Sequence, residues 1–354
     1  MKKILIVLLT LLILLAGGLA AAAGIVKKLG QPVSASGDEA KVRFEVPSGM
    51  SISEAGSKLF NNGLIRNQKV FYYSARYPKL KGFLYGEEAA KPFVLKSGIY
   101  FISPAMNIAE IQELLSSGQQ EYIKVSLPEG LTISKIAAEL EENRICSAED
   151  FISVCKDPDF AARNGIAGQS AEGFLFPDTY FFIAGMDAEA VAQIMVSNFY
   201  TKIQEIPNLA QMNSQDLYQT VVLASIVERE YRVEEEAPLI ASVFKNRLRR
   251  NIGLYSCATV EYILTEIEGR PHPERILIED TKIDNPYNTY LYAGLTPGPI
   301  SNPGLISLRA STDTPKTNYY FFQIVDPAAG KHVFTTSFEE HIESHNLYTK
   351  KNGK

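Results

Sequence analysis

The stretch Leu223-Ala224-Ser225-Ile226-Val227-Glu228-Arg229-Glu230 is an apolar run of helical character that delivers a carboxylate to its end, with no histidine or cysteine beside it. On a 3.6-residue period, Glu228 shares a face with Val221, Ala224 and Ser225. That face is small and apolar, so a ligand can come close and water is scarce. Desolvation disfavours a charged carboxyl, so Glu228 is expected to hold its proton more tightly than an exposed glutamate. A carboxylic acid still protonated near neutral pH is what protonation of a glycosidic oxygen requires. Taken alone, the same residues also fit a surface glutamate on an ordinary amphipathic helix. Glu230 is a second carboxylate, about 200° further round the helix, where structure or an ion pair is the plainer role. His341 and His345 are spaced to meet on one helix face, but no third ligand for zinc is evident, and a solvated face accounts for the pair.

Composition bounds what surrounds these residues. The chain has 354 residues, 46% of them hydrophobic and 21% charged, enough for two or three domains with sizeable cores. A net charge of −5 gives no reason to expect nucleic acid as a partner. The cysteines, Cys146, Cys155 and Cys257, are three and sparse, so neither a disulfide framework nor a paired metal-ligand spacing is present. No metal and no cofactor is expected.

Taken in order, the chain opens with Met1-Lys2-Lys3 and the uncharged run Ile4–Val26. As a helix that run spans roughly 35 Å, enough to cross a hydrocarbon core of about 30 Å. A cleaved signal peptide ending near Ala21-Ala22-Ala23 is the rival reading, and both export the remainder of the chain. Residues 30–40 read as a linker. An internal repeat comes next: Val46-Pro47-Ser48-Gly49-Met50-Ser51-Ile52-Ser53 returns as Leu127-Pro128-Glu129-Gly130-Leu131-Thr132-Ile133-Ser134. Leu59, Asn62 and Leu64 fall on Leu140, Asn143 and Ile145. Gly98-Ile99-Tyr100-Phe101 resembles the region ending at Phe181, and Met106 matches Met186. Each copy reads as a strand, a Pro-x-Gly turn and a helix capped by Ser51 or Thr132. Two such small units should pack on one another or on a third region.

From Ser214 to Arg250 the pattern is helical with a break at Tyr231–Glu236. Lys245, Arg247, Arg249 and Arg250 read as a solvated face and a charge cluster suited to a helix C-terminus. Asn285–Ile300 crowds Pro, Gly, Asn and Tyr into loop chemistry, where Asn and Tyr can bind hydroxyls and cover apolar sugar faces. Tyr319–Val325 reads as a buried strand, paired with His332-Val333-Phe334 in a hairpin across Pro327–Gly330.

These stretches together resemble the endolytic murein transglycosylases, the MltG or YceG-like family. The resemblance rests on Glu172-Gly173-Phe174-Leu175-Phe176-Pro177-Asp178-Thr179-Tyr180 and Ala224-Ser225-Ile226-Val227-Glu228. It rests further on Tyr287-Asn288-Thr289-Tyr290 with Gly294-Leu295-x-Pro297-Gly298-x-Ile300, and on His332-x-Phe334 with His341. It implies an α+β architecture: a transmembrane helix at 1–29, a linker at 30–40 and a LysM-like glycan-binding α/β subdomain at 41–122. A second repeat-like unit at 123–200 and a mixed α+β catalytic domain at 201–350 complete it. It also implies a single-pass inner-membrane protein whose extracytoplasmic part cuts peptidoglycan glycan strands, with the cell-wall synthesis machinery as a candidate partner.

Glu228 matches the family's catalytic glutamate. Substrate contacts are expected from Ser225, Glu230, Ser256, Thr259, Asn288, Tyr290 and Asp178, the last able equally to brace a turn, as is Glu172. One departure stands out: the family usually has Ser-Asp-Pro/Ala-Thr-Val where this chain has Ser256-Cys257-Ala258-Thr259-Val260, with Tyr255 at a position often held by Gln. If the missing aspartate only caps a turn, Cys257 is expected to pack as a small hydrophobe. The reaction implied uses one carboxyl, first as acid and then as base, and leaves a 1,6-anhydro end. A membrane-bound glycan-binding protein without catalysis, and a true hydrolase, are the alternatives.

Overall fold

The computed structural model describes residues 2–34, 41–118, 122–326 and 328–344, the side chains of 2–12 and 19 excepted. It is mixed α+β, built of helices with small two-stranded sheets. The chain divides into two compact units, Met1–Glu121 and Tyr122–Lys354.

The first unit begins with α1 (Lys2–Leu29), a continuous helix through the uncharged run. No helix among the described residues is long and apolar enough to cross a membrane, so the expected transmembrane helix is unsupported. The next elements are β1 (Val42–Val46), α2 (Ile52–Asn61), α3 (Gln68–Arg76), α4 (Pro78–Tyr85), β2 (Gly98–Ile102) and α5 (Ile108–Ser117). β1 and β2 pair antiparallel, Val46 opposite Gly98. Their alternation turns Phe44, Val46, Tyr100 and Ile102 into a core shared with Leu59, Phe71 and Ile111. Val26 and Leu29 at the end of α1 pack on the same core. Of the expected linker, residues 30–34 are tied down. Arg66 donates to the carbonyls of Pro32 at 2.8 Å and Val33 at 2.9 Å, and the Ser34 N–H donates to Pro104 at 3.1 Å. Residues 35–40 lie outside the described ones.

The second unit starts with β3 (Tyr122–Leu127), α6 (Ile133–Glu142), α7 (Ala148–Cys155), α8 (Pro158–Arg163), β4 (Asp178–Ile183) and α9 (Ala188–Lys202). The repeat is visible atom by atom. β3 and β4 pair antiparallel as β1 and β2 do. Gly49 and Gly130 turn the chain at φ 81° and 79°, a left-handed conformation that glycine adopts without a Cβ penalty. Ser51 and Thr132 cap α2 and α6 by accepting a hydrogen bond from the third residue on. Tyr100 and Tyr180 each donate to the carbonyl four residues earlier, Lys96 at 2.9 Å and Phe176 at 2.6 Å.

The rest of this unit carries α10 (Pro207–Ala210), α11 (Ser214–Glu228), α12 (Ala237–Arg249), α13 (Cys257–Tyr262), a long loop-rich stretch and α14 (Leu305–Thr312), and closes with the hairpin β5 (Phe321–Asp326) and β6 (Lys331–Thr335). α11 is central because it is buried nearly all round. Leu217, Val221 and Ala224 join the core of the second repeat copy, with Leu308 of α14. Leu223, Ile226 and Val227 join a second core with α12 and with Leu254, Ala258 and Ile300. A helix apolar on every side belongs between two packed layers, and this one holds its last residue, Glu228, where the layers part. The hairpin differs from the buried strand expected: β5 is half-buried along most of its length. A lone two-stranded ribbon has cover on one side only, here Phe322 and Phe334 against the second core.

Candidate active site

Glu228 ends α11, where the aligned peptide dipoles place partial negative charge and disfavour a carboxylate. Burial pushes its pKa above the ordinary 4.5, and the neighbouring Glu129 adds to the rise. Two donors pull the other way: the Gly304 N–H to Oε2 at 2.9 Å and the Tyr231 hydroxyl to Oε1 at 3.1 Å. The buried hydroxyl of Ser307, which makes no well-formed hydrogen bond of its own, also favours the charged form. The net direction is upward, so Glu228 is biased toward the acid while keeping donors that stabilise the carboxylate once the proton has left.

The turn of the second repeat copy reaches this carboxyl. A Cβ on Gly130 would lie 3.6 Å from Cγ of Glu228, and Glu129 packs its side chain against Gly304. A groove of 490 Å³ opens alongside, lined by Ser126, Glu129, Asp178, Thr179, Lys202, Tyr231 and Gly304 among others. Asp178 sits on its wall. Burial opposes its charge, but donors from Asn198 at 3.1 Å, the Thr179 N–H at 2.8 Å and Lys202 at 3.3 Å outweigh that and lower its pKa. Asp178 is thus an anion at neutral pH, tied on one side and facing the groove on the other.

Glu230 lies on the far side of the turn from Glu228, in a separate cleft of 540 Å³ with Arg229, Arg247, Tyr255, Ser256 and Cys257. Burial raises its pKa, opposed by the Ser256 hydroxyl, which donates to it, and by Arg229, Arg247 and Arg232. Ser256 is thereby spent on Glu230. Thr259 is fully buried, donating to the Ser256 carbonyl at 2.8 Å and sharing a bond with Thr289 at 2.9 Å. Asn288 is fully buried too, its amide donating to Thr281 at 3.0 Å and Ile283 at 2.8 Å. Ser225 faces the core: its hydroxyl donates to Val222 at 2.8 Å and accepts from the Ile300 N–H at 3.0 Å, while its carbonyl accepts from Ser301. Ser225 and Thr259 fasten the 285–302 loop to α11 and α13, Asn288 ties it to residues 281–283, and none of these three presents a free polar atom to a ligand. Tyr290 remains half-buried beside Cys257 and Tyr255, its hydroxyl 3.0 Å from the Cys257 thiol.

Two sequence expectations need correction. Arg247 is not on a solvated face: it is 7% exposed and donates to the carbonyls of Tyr320, Gly253 and Leu254, with Tyr255 and Phe321 rings over its guanidinium. Those carbonyls come from loops, a fact hidden from helix periodicity. Cys257 does not pack as a small hydrophobe, since it is exposed at the start of α13. The thiol is expected to be dispensable: Cys257→Ser should keep activity within about twofold, because serine replaces the contact with Tyr290 by an ordinary hydrogen bond. A loss approaching that of a Glu228 variant in the same assay would show otherwise. His341 packs on Phe321 and Phe338, and His345 lies outside the described residues.

Sequence reasoning missed Glu129, Tyr231, Gly304 and Ser307 around Glu228. Glu129 and Gly130 carried a signal, the repeated Pro-x-Gly turn, but nothing in sequence says which copy meets α11.

The sheets, the repeat and the carboxyl at the end of a doubly packed helix define an α+β protein with a protein-shielded acid beside an open groove. The sequence model of the YceG-like family matches residues 44–346, and the chain belongs to that family. The endolytic murein transglycosylase of Bacillus subtilis (strain 168) is 30% identical over 338 residues, covering 91% of this chain and 88% of its own. The endolytic murein transglycosylase of Streptococcus pneumoniae serotype 2 (strain D39) is 25% identical over 336 residues, and the match spans 58% of that longer relative. In structure, the chain resembles a YceG-like protein of Listeria monocytogenes with a TM-score of 0.55 and 30% identity, covering 86% of this chain and 98% of that one.

Proposed function

We propose that this chain is a membrane-anchored endolytic peptidoglycan transglycosylase, a carbon–oxygen lyase in which Glu228 is first the acid and then the base. The observation that carries the reading is Glu228 itself, a carboxyl with raised pKa at the end of a buried helix, held by the Gly304 N–H and the Tyr231 hydroxyl. The names of the relatives support the substrate. The neutral Glu228 protonates the oxygen joining N-acetylmuramic acid to N-acetylglucosamine, and the C1–O bond breaks. The muramyl C6 hydroxyl closes onto C1 and returns its proton to the Glu228 carboxylate. A 1,6-anhydro end forms and no water is consumed. Because the substrate supplies the nucleophile, one carboxyl can do what ordinary glycosidases divide between two. The 490 Å³ groove beside Glu228, within the usual range for ligand sites, takes the neighbouring sugars, with Asp178, Thr179 and Ser126 as hydroxyl and amide partners.

In this reading residues 41–122 are LysM-like and contribute glycan affinity, supported by two antiparallel strands joined through helices. The anchor in this reading is the 23-residue uncharged run Ile4–Val26, argued from its sequence and length, with the remainder extracytoplasmic. Mass spectrometry of products from purified peptidoglycan tests the chemistry. Anhydromuramyl ends are expected; reducing ends would instead mean a hydrolase, and uncut strands a binding protein.

A further inference from the structure

Asn302 is 1% exposed and uses every polar atom it has. Its carbonyl accepts from the Gly130 N–H at 2.9 Å, and its own N–H donates to Leu131 at 2.8 Å. Its side-chain Nδ2 donates to the Leu131 carbonyl and to Glu172 Oε1, both at 2.9 Å, while Oδ1 accepts from the Leu175 N–H at 2.9 Å. Three segments remote in sequence therefore meet on one side chain: the Gly130 turn of the second repeat copy, the Glu172–Leu175 stretch, and the loop that leads into α14. Glu172 stands behind it, 4% exposed, accepting from the Ile133 N–H at the start of α6 at 3.1 and 3.3 Å. A carboxyl at a helix N-terminus is well placed there, although burial pushes this one up to about 8.

Two residues on from Asn302, the Gly304 N–H donates to Glu228. Pro303 lies between them, and its ring fixes φ, so little freedom separates the amide hub from the catalytic donor. On the other side, Ile300 and Ser301 are bound to Ser225 of α11. We propose that Asn302, backed by Glu172, is the positioning residue that aims the Gly304 N–H at Glu228 and holds the Glu129–Gly130 turn beside it. This deepens the transglycosylase reading and rests on it. Asn302 does not reach substrate; it acts through Gly304.

The consequence is specific. The Gly304 N–H stabilises the carboxylate form of Glu228, so a donor that drifts away leaves Glu228 holding its proton more tightly. It also weakens the carboxylate formed after the first proton transfer. Asn302→Ala in the full chain is expected to lower kcat on glycan strands about tenfold, the loss attached to a hydrogen bond on a charged group, with KM changed less than about twofold. The basic limb of its pH–rate profile should move to higher pH. Asn302→Ser keeps the main-chain bonds and a neutral hydroxyl without adding charge near Glu228; it is read in the same assay should the alanine variant melt below assay temperature. It is expected to shift the limb in the same direction, by less. A fall in kcat with an unmoved basic limb in the folded variants, or an unchanged kcat, overturns the positioning role. The wild type run beside them separates the two readings. Failure to release anhydromuramyl ends rejects the transglycosylase reading and this inference with it, whereas normal wild-type product with an unmoved limb in the variants rejects this inference alone.

Discussion

Glu228→Gln is expected to remove about 10⁴-fold or more of the activity while leaving the fold intact. General acid–base catalysis by one group is typically worth about 10²–10⁴-fold, and here the same carboxyl both gives and takes the proton. The fold should survive because the site can satisfy an amide. Glutamine Oε1 takes the Gly304 N–H, and Nε2 turns to the Tyr231 oxygen, which accepts as readily as it donates. The folded-state pKa of Glu228 is raised, so between the ordinary 4.5 and that higher value the folded protein binds more protons than the unfolded chain. Unfolding free energy from this group therefore falls as pH rises through that window, and above it the whole penalty is present. The glutamine carries no such penalty. Melting curves should show the variant at least as stable as wild type at neutral pH, with the difference largest at the alkaline end. Wild-type kcat/KM should likewise decline on the alkaline side, because only protonated Glu228 can start the reaction. Near-normal release of anhydromuramyl products by a folded Glu228→Gln protein would remove Glu228 from the mechanism.

What the sequence made legible and what it hid divide along a physical line. The helix ending at Glu228 was legible because an apolar run with a terminal carboxylate is local information. The repeat was legible because its Pro-x-Gly turns, caps and tyrosines sit at fixed spacing, and the structure gives both copies the same hydrogen bonds. The partners of Glu228 were hidden, since Gly304 and the Glu129 turn arrive from opposite ends of the second unit's sequence. Ser225, Thr259 and Asn288 show a further limit. Polar residues in a loop-rich motif suit hydroxyl recognition and loop bracing equally well by type. Only the folded chain shows their polar atoms already bonded to backbone and, for Thr259, to Thr289. Arg247 misled for the same reason, because buried carbonyl oxygens in loops are not written into a helix pattern.

Gly173→Ala is expected to be the most destabilising single methyl in the second unit's site region. Gly173 has φ +86°, in the left-handed region, and a Cβ there would lie 2.6 and 2.7 Å from the ring carbons of Pro299 and 2.8 Å from Val221 Cγ1. Neither neighbour can give way easily: a proline ring has no rotamer to change, and Val221 is β-branched and fully buried on α11. The left-handed conformation costs a non-glycine residue about 1–2 kcal/mol. Forcing an extra methyl into a packed core adds about 1–3 kcal/mol. A total near 3 kcal/mol should lower the melting temperature by roughly 10 °C for a unit of this size. Gly269→Ala is the control, since Gly269 has φ +65° with nothing within 4 Å of the added Cβ. It should lose only the conformational part. The gap between the two variants isolates the steric contact. Displacing Pro299 also pulls on Ile300, which is bonded to Ser225, and through that loop on the Gly304 N–H. Activity should therefore fall in Gly173→Ala even at temperatures where the protein is still folded, and stay normal in Gly269→Ala. Equal melting temperatures for the two would mean that the packing of α11 against the Pro299 loop is looser than these distances require.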